Sequence, residues 1–234
     1  MTDDSPRGDA HATSPPLFDD ALRAPASPQG MWTEAKRWLG RTWLEAFGWR
    51  VEGEVPPKKC IIIAAPHTSN WDFPFMLAAA YVMGFRISWM GKHTLFRGPF
   101  GPLMKALGGI PVDRRAPQNL VQQVAERFAA ADELILAIPP EGTRKKVEYW
   151  KSGFYQIARA ARVPVVLGFL DFERKVGGLG PLLRTTSDVR ADMDRIRAYY
   201  RDIRGKRIEL ESTPRLREED GGQPRNPGQP RNPG

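Results

Sequence analysis

The segment Cys60-Ile-Ile-Ile-Ala-Ala-Pro-His-Thr-Ser-Asn-Trp-Asp72 decides how this chain folds and where its chemistry sits. Its opening residues are small or β-branched and apolar, a run too short for an amphipathic helix and closed by Pro66, as in a strand covered on both faces. Ser69, Asn70 and Asp72 are good N-cap residues, Pro74 is tolerated in a first helical turn, and Phe75 to Met83 is apolar. A helix is therefore expected to begin near Asp72. His67 then falls in a tight strand-to-helix turn at the carboxyl end of a strand, where open α/β sheets hold their ligands. On one continuous helix, residues five apart point about 140° away from each other. His67 and Asp72 can meet only if His67 lies in the turn.

Such a pair suits general-base catalysis. Imidazole titrates near neutrality, and a carboxylate on one ring nitrogen fixes the tautomer and stabilises the imidazolium. Ser69 lacks the G-x-S-x-G setting of a nucleophile elbow, so direct attack by a substrate hydroxyl is the simpler reading. The bland alternative is that Asp72 only caps the helix and His67 only fills a turn.

Leu134 to Ile138 reads as a second buried strand, and it too delivers polar residues at its end: Glu141, Gly142, Thr143 and Arg144. Two strands ending in polar loops imply one shared site. Gly142 allows close approach of backbone to a ligand, Glu141 can accept from a hydroxyl, and Arg144 can bind an anion. Gly109-Ile-Pro-Val-Asp-Arg114 reads as a strand end carrying a basic pair, Arg114 and Arg115, suited to bidentate phosphate binding or to a plain charged surface.

Pro66 to Asp72, Gly109 to Arg114, Pro140-Glu-Gly-Thr-Arg144 and Val163-Pro-Val-Val166 follow in an order that resembles the four blocks of the glycerolipid acyltransferase family, of the lysophosphatidic acid acyltransferase type. The resemblance runs from about residue 50 to about residue 172. It implies that His67 removes the proton of an acceptor hydroxyl attacking an acyl thioester, while Asp72 orients the histidine. It also implies that Arg114, Glu141, Gly142, Thr143 and Arg144 bind the acceptor and its phosphate. Pro66 stands where many members have asparagine, and Gly168 lies near a position where many have proline.

The remaining sequence bounds these readings. Residues 1–30 lack periodicity, and Gln-Pro-Arg-Asn-Pro-Gly occurs at 223–228 and again at 229–234, so 1–30 and 213–234 are expected to be disordered tails around a domain at 31–212. No stretch approaches the roughly 18 to 20 apolar residues of a membrane span, and none is expected. The net charge is +8. The tails carry −3 and +1, which leaves +10 between them, fit for an anionic membrane or a phosphorylated substrate. No nucleic-acid-binding pattern occurs, and no nucleic acid is expected as a partner. The lone Cys60 reads as a small core residue. His11 and His93 lack neighbouring ligands for zinc, and no cofactor is expected beyond acyl-CoA or acyl carrier protein as donor substrate.

Trp32, Trp38, Trp43 and Trp49 fall between Met31 and Arg50, interleaved with Lys36, Arg37 and Arg41. Tryptophan and basic residues on a short helix suit the headgroup layer of a membrane, and they equally suit a helix packed onto its domain. A short helix over 100–107, a helix over 119–131, a helix over 150–162, a turn at Gly177-Gly178 and a helix over 187–203 complete the reading. The fold class expected is α/β, with a mixed, largely parallel sheet between helices. The function expected is transfer of an acyl group from a thioester to a glycerolipid-type hydroxyl, at the inner face of the cell membrane. The alternatives are a non-catalytic lipid-binding protein of the same fold, acyl transfer to a hydroxylated lipid without phosphate, and a hydrolase with water as acceptor.

Overall fold

Residues Lys59–Ala64 form β2, elements being numbered in chain order, and alternation along it defines the two faces of the sheet. Ile61 and Ile63 project into one apolar cluster, while Cys60 and Ile62 project into the other, and all are buried. Such a strand lies between two layers of helix, as its uninterrupted apolar run requires.

The structure is a computed structural model and describes residues 30–112 and 120–221. Among these, β1 (Arg50–Glu52), β2, β3 (Ile87–Lys92), β4 (Gly109–Val112), β5 (Leu134–Ile138), β6 (Val165–Asp171) and β7 (Val176–Leu183) form one sheet in the order β1-β7-β6-β2-β5-β3-β4. Neighbours are parallel except β6 and β7, an antiparallel hairpin. The helices are α1 (Gly30–Ala46), α2 (Asp72–Met83), α3 (Gly101–Ala106), α4 (Leu120–Ala130), α5 (Gly153–Ala161) and α6 (Val189–Tyr200). The mixed, largely parallel α/β architecture expected from the alternation of elements is the one that forms. Phe128, Phe154, Ile157, Met193 and Ile196 cover one face, and Leu77, Ala80 and Phe85 the other.

Three expectations are corrected. Gly177 and Gly178 lie inside β7 rather than in a turn. A Cβ on Gly178 would collide with the Glu52 carbonyl, so glycine here admits β1 alongside β7. The helix expected from Trp150 starts at Gly153, because the Trp150 N–H donates to Arg215 O at 2.7 Å and the Lys151 N–H to Pro140 O at 2.8 Å. The tail expected from residue 213 is part of the fold as far as residue 221. Leu216, one leucine in a charged run, is fully buried with Phe154 and Met193, and Arg197 pairs with Glu219 at 2.7 Å. Residues 1–29, 113–119 and 222–234 lie outside the described residues, and with them His11, Arg114, Arg115, the repeat and most of the expected amino-terminal tail.

Helix α1 divides its tryptophans. Gly40 lets the helix approach the Ala78 carbonyl of α2, where a Cβ would stand 2.7 Å from the oxygen. Trp43 packs among Phe47, Trp71 and Phe75, and Trp49, just beyond the helix, stacks on Phe75 at 4.3 Å. Trp38 is 68% exposed. The side chain of Trp32 lies outside the described residues. Among the described residues no helix is long and apolar enough to cross a membrane.

Candidate active site

Strands β2 and β5 are parallel neighbours with Ile63 opposite Ile138, so the loops that follow them leave the same edge of the sheet. Beyond β2 the chain passes a cis Ala65–Pro66 bond and His67, and α2 starts at Asp72, as expected. His67 lies in the turn and meets Asp72: Nδ1 stands 3.0 Å from Asp72 Oδ2. Nδ1–H donates to the carboxylate, which leaves Nε2 as the nitrogen able to take a proton. The His67 side chain is 21% exposed and Asp72 is buried, so the pair is reachable only from the histidine.

Asp72 holds more than the imidazole. The same Oδ2 accepts the backbone N–H groups of Thr68 and Ser69, each at 3.0 Å, and Ser69 Oγ accepts the Trp71 N–H at 3.1 Å. The carboxylate thus folds the turn that presents its own partner. The amides of Thr68 and Ser69 are thereby spent on Asp72.

From β5 the chain makes a tight turn closed by the Gly142 N–H to Pro139 O at 3.1 Å, with Gly142 at φ +65°. Glu141 sits inside this turn, 3% exposed, and its Oε1 accepts the His67 backbone N–H at 3.1 Å. The two strand ends expected to share a site therefore meet. Sequence reasoning gives Glu141 a substrate hydroxyl, whereas the structure gives its Oε1 to the amide of His67. Burial pushes the Glu141 carboxyl up to about 6, against the opposing pull of the amides that donate to it. Gly142 is exposed, Thr143 half-buried and Arg144 exposed, farther along the same loop, and neither Thr143 nor Arg144 has a hydrogen bond or ion pair among the described residues. Arg114 lies outside them.

The loop after α6 supports the site in a way that sequence reasoning missed. The Arg207 N–H donates to Thr68 Oγ1 at 3.2 Å, and a Cβ on Gly205 would stand 2.8 Å from that oxygen. Lys206 lies 5.1 Å from the ring of Trp71. Tyr200 O–H donates to Gly168 O at 2.9 Å, tying α6 to β6 beside β2. No composition or spacing signals these contacts, because backbone groups on one side make most of them. Cys60, with its thiol pushed up by burial, takes no part.

The described residues at the edge shared by β2 and β5 thus hold a histidine–aspartate pair, an embedded carboxyl and a basic loop. A family model described as acyltransferase matches residues 49–166, which include β2, the His67 turn and the Glu141 loop. The chain belongs to the acyltransferase family. No curated protein sequence matches the chain. Among solved structures, this acyltransferase is similar to the crystal structure of the 1-acyl-sn-glycerophosphate (LPA) acyltransferase PlsC from Thermotoga maritima. The likeness has a TM-score of 0.54 at 16% identity over 73% of this chain and 78% of that one, and it shows a shared fold. The acyltransferase chain extends past its matched segment into β7, α6 and the loop that braces Thr68.

Proposed function

We propose that this acyltransferase moves a fatty acyl group from acyl-CoA or acyl carrier protein to the hydroxyl of a glycerolipid-type acceptor such as lysophosphatidate, with His67 as general base. The observation that carries the reading is the 3.0 Å contact of His67 Nδ1 with a buried Asp72, which leaves Nε2 of a partly exposed side chain as the nitrogen able to take a proton. Nε2 takes the proton of the acceptor hydroxyl, and the oxygen attacks the thioester carbonyl. The C–S bond then breaks, and the imidazolium returns its proton to the departing thiolate. Asp72 offsets the charge that the imidazole gains in between.

Support for a phosphorylated glycerolipid is of a different kind. It comes from the fold shared with a 1-acyl-sn-glycerophosphate acyltransferase, and from Arg144 on the Glu141 loop, with Arg114 of the block resemblance as second cation. Membrane association at the inner face of the cell membrane belongs to the same reading, with the exposed Trp38 of α1 as a contact.

The test is transfer of radiolabelled acyl groups from each donor into a panel of hydroxylated lipids, by wild type and His67→Ala. Transfer that disappears in a folded His67→Ala supports the mechanism. A variant that keeps a tenth of the wild-type rate would overturn it.

A further inference from the structure

After β3 the chain makes a 3-10 turn, His93–Phe96, and then α3. Leu95 is 51% exposed, Phe100 70% and Leu103 51%. A single exposed apolar side chain is ordinary, whereas three large ones on adjoining short elements form a patch. Lys92, Arg97 and Lys105 are exposed among them. From residue 73 to residue 112 the chain carries no aspartate or glutamate. Apolar side chains with cations exposed among them complement a surface that is apolar within and anionic at its boundary. These exposed side chains lie on a turn and a short helix.

The elements beneath the patch are fixed. Phe96 packs over Gly91 and Gly109, where a Cβ would meet its ring, and the Gly101 N–H donates to Gly98 O at 3.1 Å. Trp89 Nε1–H donates to Leu107 O at 2.9 Å. The ring of Phe73, next to Asp72, lies 5.0 Å from that of Trp89, which lies 5.8 Å from Phe96. Strand β3 runs parallel to β5, so its turn leaves the edge of the sheet from which His67 and Glu141 emerge.

We propose that this face, Lys92 to Lys105, is a lipid-contact surface separate from α1: Leu95, Phe100 and Leu103 enter the headgroup layer of an anionic bilayer, and Lys92, Arg97 and Lys105 bind its phosphates. It sets the site edge of the sheet toward the lipid. The inference does not depend on the reaction proposed above, because binding is read without turnover.

The experiment is co-sedimentation of the full chain with phosphatidylglycerol–phosphatidylcholine vesicles. The wild type is compared with a Leu95→Ser, Phe100→Ser, Leu103→Ser variant and with a Lys92→Gln, Arg97→Gln, Lys105→Gln variant, and thermal melts verify the fold. Each variant is expected to lose about tenfold or more in partition. Because Cys60 is buried, Leu103→Cys can be labelled alone with a fluorophore, and nitroxide lipids should quench it. The same label at Asp132→Cys, before β5 at the opposite edge, should stay unquenched. Unchanged partition in both variants, or equal quenching at the two positions, overturns the proposal. So does loss of affinity for an acidic acyl carrier protein with vesicle binding intact, which would make the face a protein-docking surface.

Discussion

Glu141 Oε1 accepts the backbone N–H of His67 at 3.1 Å, so the loop after β5 holds the main chain of the residue that β2 delivers. The carboxyl is buried, its Oε2 has no hydrogen-bond partner among the described residues, and its pKa is pushed up to about 6 from an ordinary 4.5. Between these values the folded state keeps a proton that the unfolded state has released, so stability falls as pH rises through this window and levels off above it. The shift corresponds to about 2 kcal/mol. Urea unfolding at pH 4.5 and pH 7 should show this loss in wild type and its absence in Glu141→Gln. Equal slopes in the two proteins would mean that another group titrates there.

Asp72→Asn separates the two tasks of Asp72. An amide oxygen can still accept the Thr68 and Ser69 N–H groups, so the melting temperature should move by only a few degrees, whereas the imidazolium loses its counter-charge. The expected result is a fall in kcat of about 100-fold or more with little change in KM. Asp72→Ala should unfold more readily as well, because it strands two buried amides. Equal kcat for wild type and Asp72→Asn would reduce the aspartate to a cap.

Arg144→Ala should raise the KM for a phosphorylated acceptor about tenfold or more while leaving that for the thioester unchanged, as loss of one charge-assisted hydrogen bond predicts. Steady-state kinetics with each substrate varied in turn checks this. A rise confined to the thioester would place the arginine on the donor.

Leu216→Ala should destabilise the chain by about 3 kcal/mol, as removal of a fully buried leucine does. Denaturant unfolding measures it. A change below a few tenths of a kcal/mol would return residues 213–221 to the status of a tail.

The sheet and the His67–Asp72 pair were legible because each has a local signature. An apolar run such as Cys60–Ala64 marks a strand covered on both faces, and five residues across a turn mark a pair that can meet. Residue Glu141 could be placed at a strand end, but its partner could not be read, because an amide N–H exists at nearly every position and only folding selects the one at His67. Leu216 was hidden by its charged neighbours, and Gly178 looked like a turn because the close approach of Glu52 comes from residues far away in sequence. The fate of Trp43 against Trp38 depended on which face of α1 meets α2, which the small Gly40 decides by closeness and not by hydrophobicity.

The bracing of Thr68 by Arg207, with Leu216 anchored a few residues beyond, bears on how this enzyme is made. During synthesis every residue assigned to the reaction leaves the ribosome well before the segment that steadies the turn. A chain interrupted after β7 would contain the whole matched segment, with His67, Asp72 and Glu141, and still lack the contact that holds the Thr68 hydroxyl. The last support of the turn therefore arrives late in synthesis, after every residue of the pair and of the loop beside it has been made.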